Sequence, residues 1–395
     1  MKIALLLSAA ALCFAADELR PFEGQAAVGT LLRPGSLDVD ETHKRFTIGS
    51  SGENMWARAD DFHFVWKKMS GDVALSASMS FPQPGGNAHR KAILMIRQSL
   101  DTDSAYVDAA LHGDGLTSLQ SRETKGGLTK EVGTNAATPA RMRIEKRGEY
   151  FLLFMAREGE PLHLAGGSMR LPLDGPFYVG IGVCAHDKNA FEKVVFSDVK
   201  LESLPPTAGP GTLFSTLETV VITSTDRRVA SVAKGRLESP AWAMDGKSVS
   251  FFEAGKPKRS KLDGAEPMDA PELPLVNRTL DVTPNGQWIY FASARSGTSH
   301  VWKMNAEGAD QAQVTQDEYQ DFDPHLSPDG TRLVFLSALQ ALVKDTDVLL
   351  RVMNLTDGKI TVVAKLIGGR GTLGPGPWSP DGKRLTFVSY QYLPE

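Results

Sequence analysis

The chain has 395 residues, and its 43 lysines and arginines against 47 aspartates and glutamates give a formal net charge of −4 at pH 7. This length allows two or three domains, each with a sizeable hydrophobic core. The mildly acidic balance leaves no basic surplus for holding a nucleic-acid backbone, so no nucleic-acid partner is expected.

Residues 1–16 are predicted to form a cleaved signal peptide, because Lys2 precedes an apolar run from Ile3 to Phe14 that small residues close. The run is too short to cross a bilayer, and no other membrane span is expected. Cleavage would leave Cys184 without a disulfide partner. A lipoprotein anchored through Cys13 is less favoured, since a bulky leucine precedes that cysteine. The expected location is therefore periplasmic or secreted.

Residues 17–204 show short stretches in which apolar and polar residues alternate, as in Val73 to Phe81. Further strands are predicted at 92–97, 105–111, 140–146, 150–156, 177–183 and 193–201. A series of closely spaced strands with polar turns and no helical periodicity favours a two-sheet β-sandwich of the jelly-roll type.

Aromatic residues cluster near the start of this region and suggest a sugar platform. Indole rings stack on the apolar faces of sugars, and neighbouring carboxylates accept hydrogen bonds from hydroxyl groups. The predicted ligand-binding residues are Trp56, Asp60, Asp61 and Trp66. The alternation of Phe62, Phe64 and Trp66 equally fits one buried face of a strand. Trp56 lies outside that strand and is the better candidate for exposure.

Catalytic motifs are not apparent in the sequence. A glycoside hydrolase needs two carboxyl groups flanking the scissile bond, and the Glu-x-Asp-x-x-Glu pattern does not occur. Gly-x-Ser-x-Gly and His-Glu-x-x-His are also missing, and the eight histidines are scattered singly. No catalytic residue, metal site or cofactor is therefore predicted.

A proline- and glycine-rich segment at 205–211 is predicted to be a linker between two domains. One sequence motif then recurs four times in residues 212–395. It consists of an apolar residue, a turn that ends in glycine, an aliphatic residue and a phenylalanine. The copies start at Trp242, Val282, Leu326 and Trp378. Their glycines lie 40, 44 and 52 residues apart, near the length of one four-stranded propeller blade.

The repeated turn residues are interpreted as structural, because each copy places the same residue type at the same point of a type I turn. They are Asp245, Gly246, Asn285, Gly286, Asp329, Gly330, Asp381 and Gly382. Trp242 and Trp378 are predicted to lie in the blade cores. Strands near 217–223 and 228–233 are expected to complete the last blade.

Two polar clusters in this half are interpreted as loops. The basic run Lys256 to Lys261 is predicted to be a solvated connector. Asp321, Asp323 and His325 are predicted to lie in a rim loop, and a cation site there is the less favoured alternative.

Two family resemblances follow from these segments. The runs from Gly49 to Trp56 and from Ala59 to Asp72 resemble the concanavalin-like lectin/glucanase sandwich. The repeats, with Thr225 to Val229 and Asp321 to Gly330, resemble the propeller of TolB-like proteins. Relatives of that kind usually have about six repeats, so a shortened propeller is expected. The α/β domain of TolB is replaced by the sandwich, so a role in the Tol machinery does not carry over.

The sequence thus predicts an all-β protein, with a concanavalin-like sandwich followed by a short TolB-like propeller of about four repeats. The predicted function is non-catalytic binding. The sandwich would recognise a carbohydrate or another cell-envelope ligand, and the propeller would dock a protein partner. The alternatives are a carbohydrate-active enzyme with its site on the concave face of the sandwich, and a structural scaffold.

Overall fold

The structure, a computed structural model, describes residues 20–42, 44–135, 139–206, 211–262, 267–270, 281–342 and 345–394. The predicted signal peptide and most of the predicted linker lie outside these ranges. The described residues form strands and turns without any helix, and so offer no helix long and apolar enough to cross a bilayer. The chain is all-β, as predicted.

Among the described residues, sixteen strands precede the predicted linker. They are β1 (Gly24–Val28), β2 (Ser36–Asp40), β3 (Arg45–Ser50), β4 (Met55–Trp56), β5 (Ala59–Asp60), β6 (Phe62–Met69), β7 (Val73–Ser80), β8 (Lys91–Arg97), β9 (Tyr106–His112), β10 (Thr117–Arg122), β11 (Thr129–Gly133), β12 (Arg141–Arg147), β13 (Tyr150–Ala156), β14 (His163–Arg170), β15 (Phe177–Cys184) and β16 (Glu192–Ser203).

Fifteen strands follow it within the part of the chain that the structure describes. They are β17 (Thr212–Val221), β18 (Arg227–Lys234), β19 (Leu237–Trp242), β20 (Ser248–Glu253), β21 (Lys256–Lys261), β22 (Met268–Asp269), β23 (Asp281–Val282), β24 (Trp288–Ser293), β25 (His300–Asn305), β26 (Ala312–Gln313), β27 (Gln320–Leu326), β28 (Arg332–Ala338), β29 (Thr346–Asn354), β30 (Ile360–Gly368) and β31 (Arg384–Leu393). The strands before and after the linker are called the N-terminal half and the repeat half.

Two large sheets share one hydrophobic core. The first has ten strands in the order β1-β6-β15-β8-β9-β10-β11-β18-β17-β31, and the second has seven in the order β14-β13-β12-β7-β16-β3-β2. Val65 and Leu94 of the ten-stranded sheet belong to the same core as Leu75, Ile144 and Phe196 of the seven-stranded sheet. Side chains alternate along a strand, so the residues next to Val65 and Leu94 in the sequence point the other way. They lie on the outer face of the first sheet, away from the second sheet.

The ten-stranded sheet joins the two halves of the chain. Its strand β11 pairs in parallel with β18 of the repeat half, where Val132 lies opposite Arg227 and Gly133 opposite Arg228. Arg227 points inward, since it forms an ion pair of 2.8 Å with Glu218 and donates a hydrogen bond of 2.6 Å to the Ser168 carbonyl of β14. The boundary predicted at 205–211 is therefore bridged by backbone pairing.

The repeat half builds three four-stranded sheets in succession, β19–β22, β23–β26 and β27–β30. After them, β31 pairs with β17 along its whole length, from Thr212 opposite Leu393 to Val221 opposite Arg384. The first strand of this half thus pairs with its last one, and β18 pairs with β17 on the other side, as expected from the sequence. Trp242 and Trp378 are buried in separate hydrophobic clusters, which confirms the prediction that they lie in the core.

Side chains close the repeated turns through short hydrogen bonds. In the third copy, Asp329 Oδ1 accepts from the Thr331 amide at 3.0 Å and from Ser327 Oγ at 2.6 Å. The backbone of Gly330 has a φ of 69°, which favours glycine because it has no Cβ.

Both loop predictions in this half are wrong. Lys256 to Lys261 forms β21, which pairs with β20 after a turn at Ala254 and Gly255. Asp321 and His325 lie in β27, which pairs with β28. Pairing with a neighbouring strand outweighs the local composition in both segments.

Candidate functional site

The outer face of the ten-stranded sheet is unusually polar where β8, β9, β10 and β11 lie side by side. Met95, Asp108, Gln120 and Glu131 face one another in register across these four strands. The row beside it holds Arg97, Tyr106, Arg122 and Thr129. Lys91 and His112 pair at the other end of β8 and β9. Polar groups this deep in a fold usually serve a specific interaction.

Asp60 is fixed at one end of this face by two arginines. Its two oxygens accept hydrogen bonds of 2.6 and 2.8 Å from Arg122, and Arg97 Nη2 lies 3.4 Å away. All three side chains are fully buried. Burial alone would lower the pKa of Arg122, but the hydrogen bond and charge of Asp60 outweigh it and raise that pKa. Asp60, predicted as a ligand-binding residue, is thus engaged in a buried ion pair.

Residues 51–61 form a strap across the outer face. The Thr129 amide donates to the Ala57 carbonyl at 2.9 Å, and Lys91 Nζ donates to the Met55 carbonyl at 3.1 Å. Trp56 lies in this strap and is half-buried, with Lys91 Nζ 5.6 Å from its ring centroid. A cation at this distance favours a fixed position of the indole ring. Trp56 therefore presents part of its ring to solvent on a supported platform.

The other two predicted residues have different surroundings. Trp66 projects from β6 onto the outer face, where its ring meets Tyr178 edge-on at 4.8 Å. Asp61 is half-buried and accepts a hydrogen bond of 2.7 Å from the Thr30 amide. Phe62 and Phe64, on the same strand as Trp66, are fully buried, which confirms the interpretation of this alternation as a largely buried face.

Sequence reasoning missed the polar residues beneath Trp56. Lys91 is almost fully buried, and its Nζ donates to Gln120 Oε1 at 3.0 Å. Asp108 is fully buried, and neither of its carboxyl oxygens has a hydrogen-bond partner among the described residues. Burial raises the pKa of Asp108 to about 8, so its carboxyl group is protonated at neutral pH. An acidic residue within the apolar strand from Tyr106 to Leu111 was the available signal.

The repeat half contributes the far edge of the same face. Because Arg227 points toward the seven-stranded sheet, Arg228 points to the outer face beside Gly133. A Cβ placed on Gly133 would lie 3.5 Å from Glu131 Oε1 and 3.9 Å from Arg228 Nη2, so both side chains flank this glycine. Burial and the nearby Asp226 raise the pKa of Glu131.

A second polar cluster lies between two sheets of the repeat half. His325 Nδ1 is 2.8 Å from Asp281 Oδ2, and its Nε2 is 3.3 Å from Asp323 Oδ1. Burial opposes protonation of His325, but the two aspartates outweigh it and raise its pKa to about 9. Within the described residues, no group of histidine, cysteine, aspartate and glutamate side chains is arranged to hold a metal ion. This cluster is a charged cross-link between β23 and β27.

Comparison with known proteins gives partial matches. No protein-family model matches the chain. An uncharacterized protein of Agrobacterium fabrum is 35% identical over 113 residues, which are 28% of this chain and 39% of that protein. A TolB homolog of Chlorobium luteolum is 30% identical over 106 residues, 27% of this chain and 22% of that protein. The chain thus spans well under half the length of these curated relatives.

Solved structures give weaker similarity. A TolB-type protein from Agrobacterium tumefaciens has a TM-score of 0.40 at 22% identity, and covers 46% of this chain and 100% of its own. The carbohydrate-binding module CBM66 from Bacillus subtilis has a TM-score of 0.31 at 13% identity, and covers 46% of this chain and 97% of its own. The match to the curated TolB homolog shows similarity to TolB over about a quarter of this chain.

Proposed function

We propose that this chain is an exported, non-catalytic binding protein of the periplasm or the extracellular space. Its N-terminal half is a concanavalin-like sandwich that recognises a carbohydrate or a related cell-envelope ligand on the outer face. Its repeat half is a short TolB-like propeller that docks a protein partner. The observation that carries the ligand site is the half-buried Trp56, held over buried Lys91 and next to the polar row of Asp108, Gln120 and Glu131.

The chemistry of this face suits a hydroxyl-rich ligand. The exposed part of the Trp56 ring offers an apolar surface for a sugar ring. The half-buried Glu131 offers an acceptor for sugar hydroxyl groups beside it. An aromatic platform with a few fixed polar groups is typical of sites for small ligands.

Binding is favoured over hydrolysis because the carboxyl groups on this face are poorly placed for acid–base catalysis. Both oxygens of Asp60 bond to Arg122, and Asp108 is fully buried. Glycoside hydrolases instead use two carboxyl groups on either side of the scissile bond. The enzyme alternative therefore requires Glu131 to act together with a second carboxyl group. That group would become accessible only if the strap moved away from the sheet. Loss of measurable polysaccharide cleavage in Glu131→Gln would favour that alternative.

Contacts between successive repeats support a propeller of four blades. Arg332, after the third turn, donates to the Gly382 carbonyl of the fourth turn at 3.3 Å. Arg384, after the fourth turn, donates to the Gly246 carbonyl of the first turn at 3.3 Å. The second and third turns also meet, since a Cβ on Gly330 would lie 2.6 Å from Pro284. These contacts link the second, third, fourth and first turns in that order, which accounts for three of the four junctions of a four-bladed ring.

A glycan array and polysaccharide pull-down on the protein tests the proposal, with Trp56→Ala beside the wild type. We expect binding that Trp56→Ala abolishes and that Trp302→Ala, a half-buried tryptophan of the repeat half, leaves unchanged. Thermal unfolding of each variant checks that it is folded. Wild-type protein that binds no glycan would contradict the proposed carbohydrate ligand.

A further inference from the structure

We propose that His112 holds the Trp56 platform in place through Gln120 and Lys91, and that this relay breaks when His112 gains a proton. The inference rests on the proposed function, since it concerns the same platform, and it adds an acid-sensitive control of that site. His112 is thus a positioning residue, which acts on Trp56 through other side chains.

The first argument is that three polar side chains form one row at the end of the outer face. Cys184 of β15 lies opposite Lys91 of β8, and Lys91 lies opposite His112 of β9. All three side chains are buried. The strap lies over two of them. Its Gly52 carbonyl accepts a hydrogen bond from Cys184 Sγ at 3.4 Å, and its Met55 carbonyl accepts one from Lys91 Nζ at 3.1 Å.

The second argument is the direction of the hydrogen bonds around Gln120. Lys91 Nζ can only donate, so the Gln120 atom that lies 3.0 Å from it is the oxygen Oε1. The amide nitrogen of Gln120 then donates to His112 Nε2, which lies 3.5 Å away. His112 Nδ1 lies 3.0 Å from the Leu116 carbonyl, which can only accept. His112 is therefore held as the neutral ring with its proton on Nδ1.

Protonation of His112 reverses the bonding that its Nε2 needs. A protonated Nε2 donates, and the amide nitrogen of Gln120 cannot accept. If Gln120 turns its oxygen toward His112, Lys91 loses that acceptor. If Gln120 keeps its position, two N–H groups face each other in a buried site. In both cases Lys91 has a second positive charge beside it, so moving out into water stabilises it and frees the Met55 carbonyl of the strap.

Most of the charged groups around His112 oppose its protonation. Lys91 lies on the neighbouring strand, and the ring of His89, in the loop before β8, has its centroid 6.2 Å away. Asp114 favours the proton, but burial and Lys91 outweigh it and lower the pKa of His112 to about 4. Burial and Lys91 also lower the pKa of His186, whose ring centroid is 5.5 Å from that of His89. Acidification therefore adds positive charge beside a buried lysine.

The strap can loosen at this end while its other end stays fixed. Asp60, at the far end, remains in its buried ion pair. The Met55 carbonyl is held by Lys91 Nζ and, at a longer 3.4 Å, by the Tyr106 hydroxyl. Loss of the Lys91 bond therefore frees the backbone next to Trp56 first.

Labelling of Cys184 with dithiodipyridine tests the relay in the full chain without any glycan. This thiol is fully buried and bonds to the Gly52 carbonyl, so it reacts only when the strap opens. Peptide mass spectrometry separates it from Cys13. Each rate is divided by the rate of the urea-unfolded protein at the same pH, which removes the intrinsic pH dependence of the reaction. Circular dichroism at each pH checks that the protein stays folded.

The variants separate the groups that could titrate. His112→Asn cannot gain a proton, but it keeps an amide donor in place of Nδ1. Gln120→Met breaks the relay at its centre. Glu131→Gln removes a nearby carboxyl group whose pKa burial raises into the acidic range. His163→Asn, on an exposed strand end, is the matched control.

We expect acid to speed the labelling of the wild type, because the open form binds the proton more tightly. The normalised rate should rise about twentyfold between pH 7 and pH 5, the factor set by a His112 pKa of about 4 under the closed strap and 6.5 in the open form. His112→Asn should abolish this rise, whereas Glu131→Gln and His163→Asn should retain it. Gln120→Met should label faster than the wild type at pH 7 and respond less to acid.

Several outcomes would overturn the inference. A wild-type rate that stays constant from pH 7 to pH 5 would mean that the strap does not respond to acid. A rise that persists in His112→Asn, or that disappears in Glu131→Gln, would assign the titration to another group. If His112→Asn does not fold, Gln120→Met decides, since a profile equal to that of the wild type would mean that the relay does not pass through Gln120.

Failure of the relay and failure of the proposed function are distinguishable, because the labelling uses no glycan. A negative labelling result leaves carbohydrate binding at Trp56 in place. A glycan array without any binding would contradict the carbohydrate ligand, and the labelling would still decide whether His112 controls the strap.

Discussion

Asp60 accepts two hydrogen bonds from Arg122, of 2.6 and 2.8 Å, although neither side chain has any exposed surface. The pair ties the strap that carries Trp56 to β10 on the sheet beneath it. A buried ion pair adds little over an apolar pair of the same shape, but the loss of one partner leaves the other charge buried and unpaired.

Asp60→Asn is therefore expected to destabilise the protein by about 3–5 kcal/mol, the range for a broken buried pair. Urea unfolding measures this loss. The double variant Asp60→Leu with Arg122→Met should lose less stability than the sum of the two single changes, and part of its loss should remain because Arg97 also faces Asp60. Asp101→Asn, which breaks an exposed pair with Lys125, should leave the midpoint unchanged. A double variant that adds the two single losses would show that the residues do not act as a pair.

The repeated turns and the predicted cores of the repeat half could be found from the sequence, because each copy carries its own signal. Asp329 and Gly330 form a turn whose geometry depends on neighbouring residues only. Trp242, Leu326 and Trp378, at the same point of three copies, are buried, whereas Val282 of the second copy is 50% exposed. The repeated apolar position therefore predicted a core residue in three of the four copies.

The proposed binding face could be predicted only in part, because it depends on contacts between distant segments. Trp56 was found from its aromatic character. Lys91 and Asp108 were not, since nothing local shows that their strands lie under the strap. The direction of Arg228 follows from the parallel pairing of β11 with β18, which joins segments almost a hundred residues apart. The basic strand β21 was missed because pairing with β20 decides its structure.

Asp108 is expected to make stability fall as the pH rises. Its pKa is about 8 in the folded state against 3.8 for an ordinary aspartate. Between those values the unfolded chain loses this proton first, so the stability present below pH 3.8 is lost progressively up to about pH 8. The side chain introduced by Asp108→Asn cannot ionise, so the stability of this variant should not fall with pH for that reason. Its Tm should exceed that of the wild type at pH 9 by at least about 1 °C, the shift for roughly 1 kcal/mol in a chain of this length.

Thermal unfolding from pH 4 to pH 9 measures the Asp108 effect. The Tm difference between Asp108→Asn and the wild type should grow with pH. Asp357→Asn, in an exposed turn, is the control and should show no such trend. A difference that stays constant with pH would mean that Asp108 keeps an ordinary pKa in the folded protein.

His325 is expected to make the folding stability depend on pH in a different range. Its pKa is raised from 6.5 to about 9, so its charged pairing with Asp281 and Asp323 stabilises the fold fully below pH 6.5. That contribution is lost as the pH rises through 9, since the folded state then loses the proton. His325→Gln should cost about 1.5–3 kcal/mol at pH 6, as for a hydrogen bond to a charged group. The difference from the wild type should shrink at pH 10.

Urea unfolding at the two pH values provides this comparison. His163→Gln, on an exposed strand end, serves as the control and should match the wild type at both. An equal loss for His325→Gln at pH 6 and pH 10 would show that its packing, and not its charge, stabilises the junction between β23 and β27.

The continuous sheet predicts that the two halves unfold together. Strand β11 pairs with β18, and β18 leads through β17 to β31, so neither half can lose its sheet without exposing the edge of the other. Phe387 of β31 and Phe196 between the two large sheets are both fully buried, and replacing either with alanine should cost about 3–5 kcal/mol. Calorimetry should give one transition for the wild type, and Phe387→Ala and Phe196→Ala should each shift that same transition to lower temperature. Two transitions, with each variant moving only one of them, would mean that the β11–β18 pairing is too weak to couple the halves, since independent domains unfold separately.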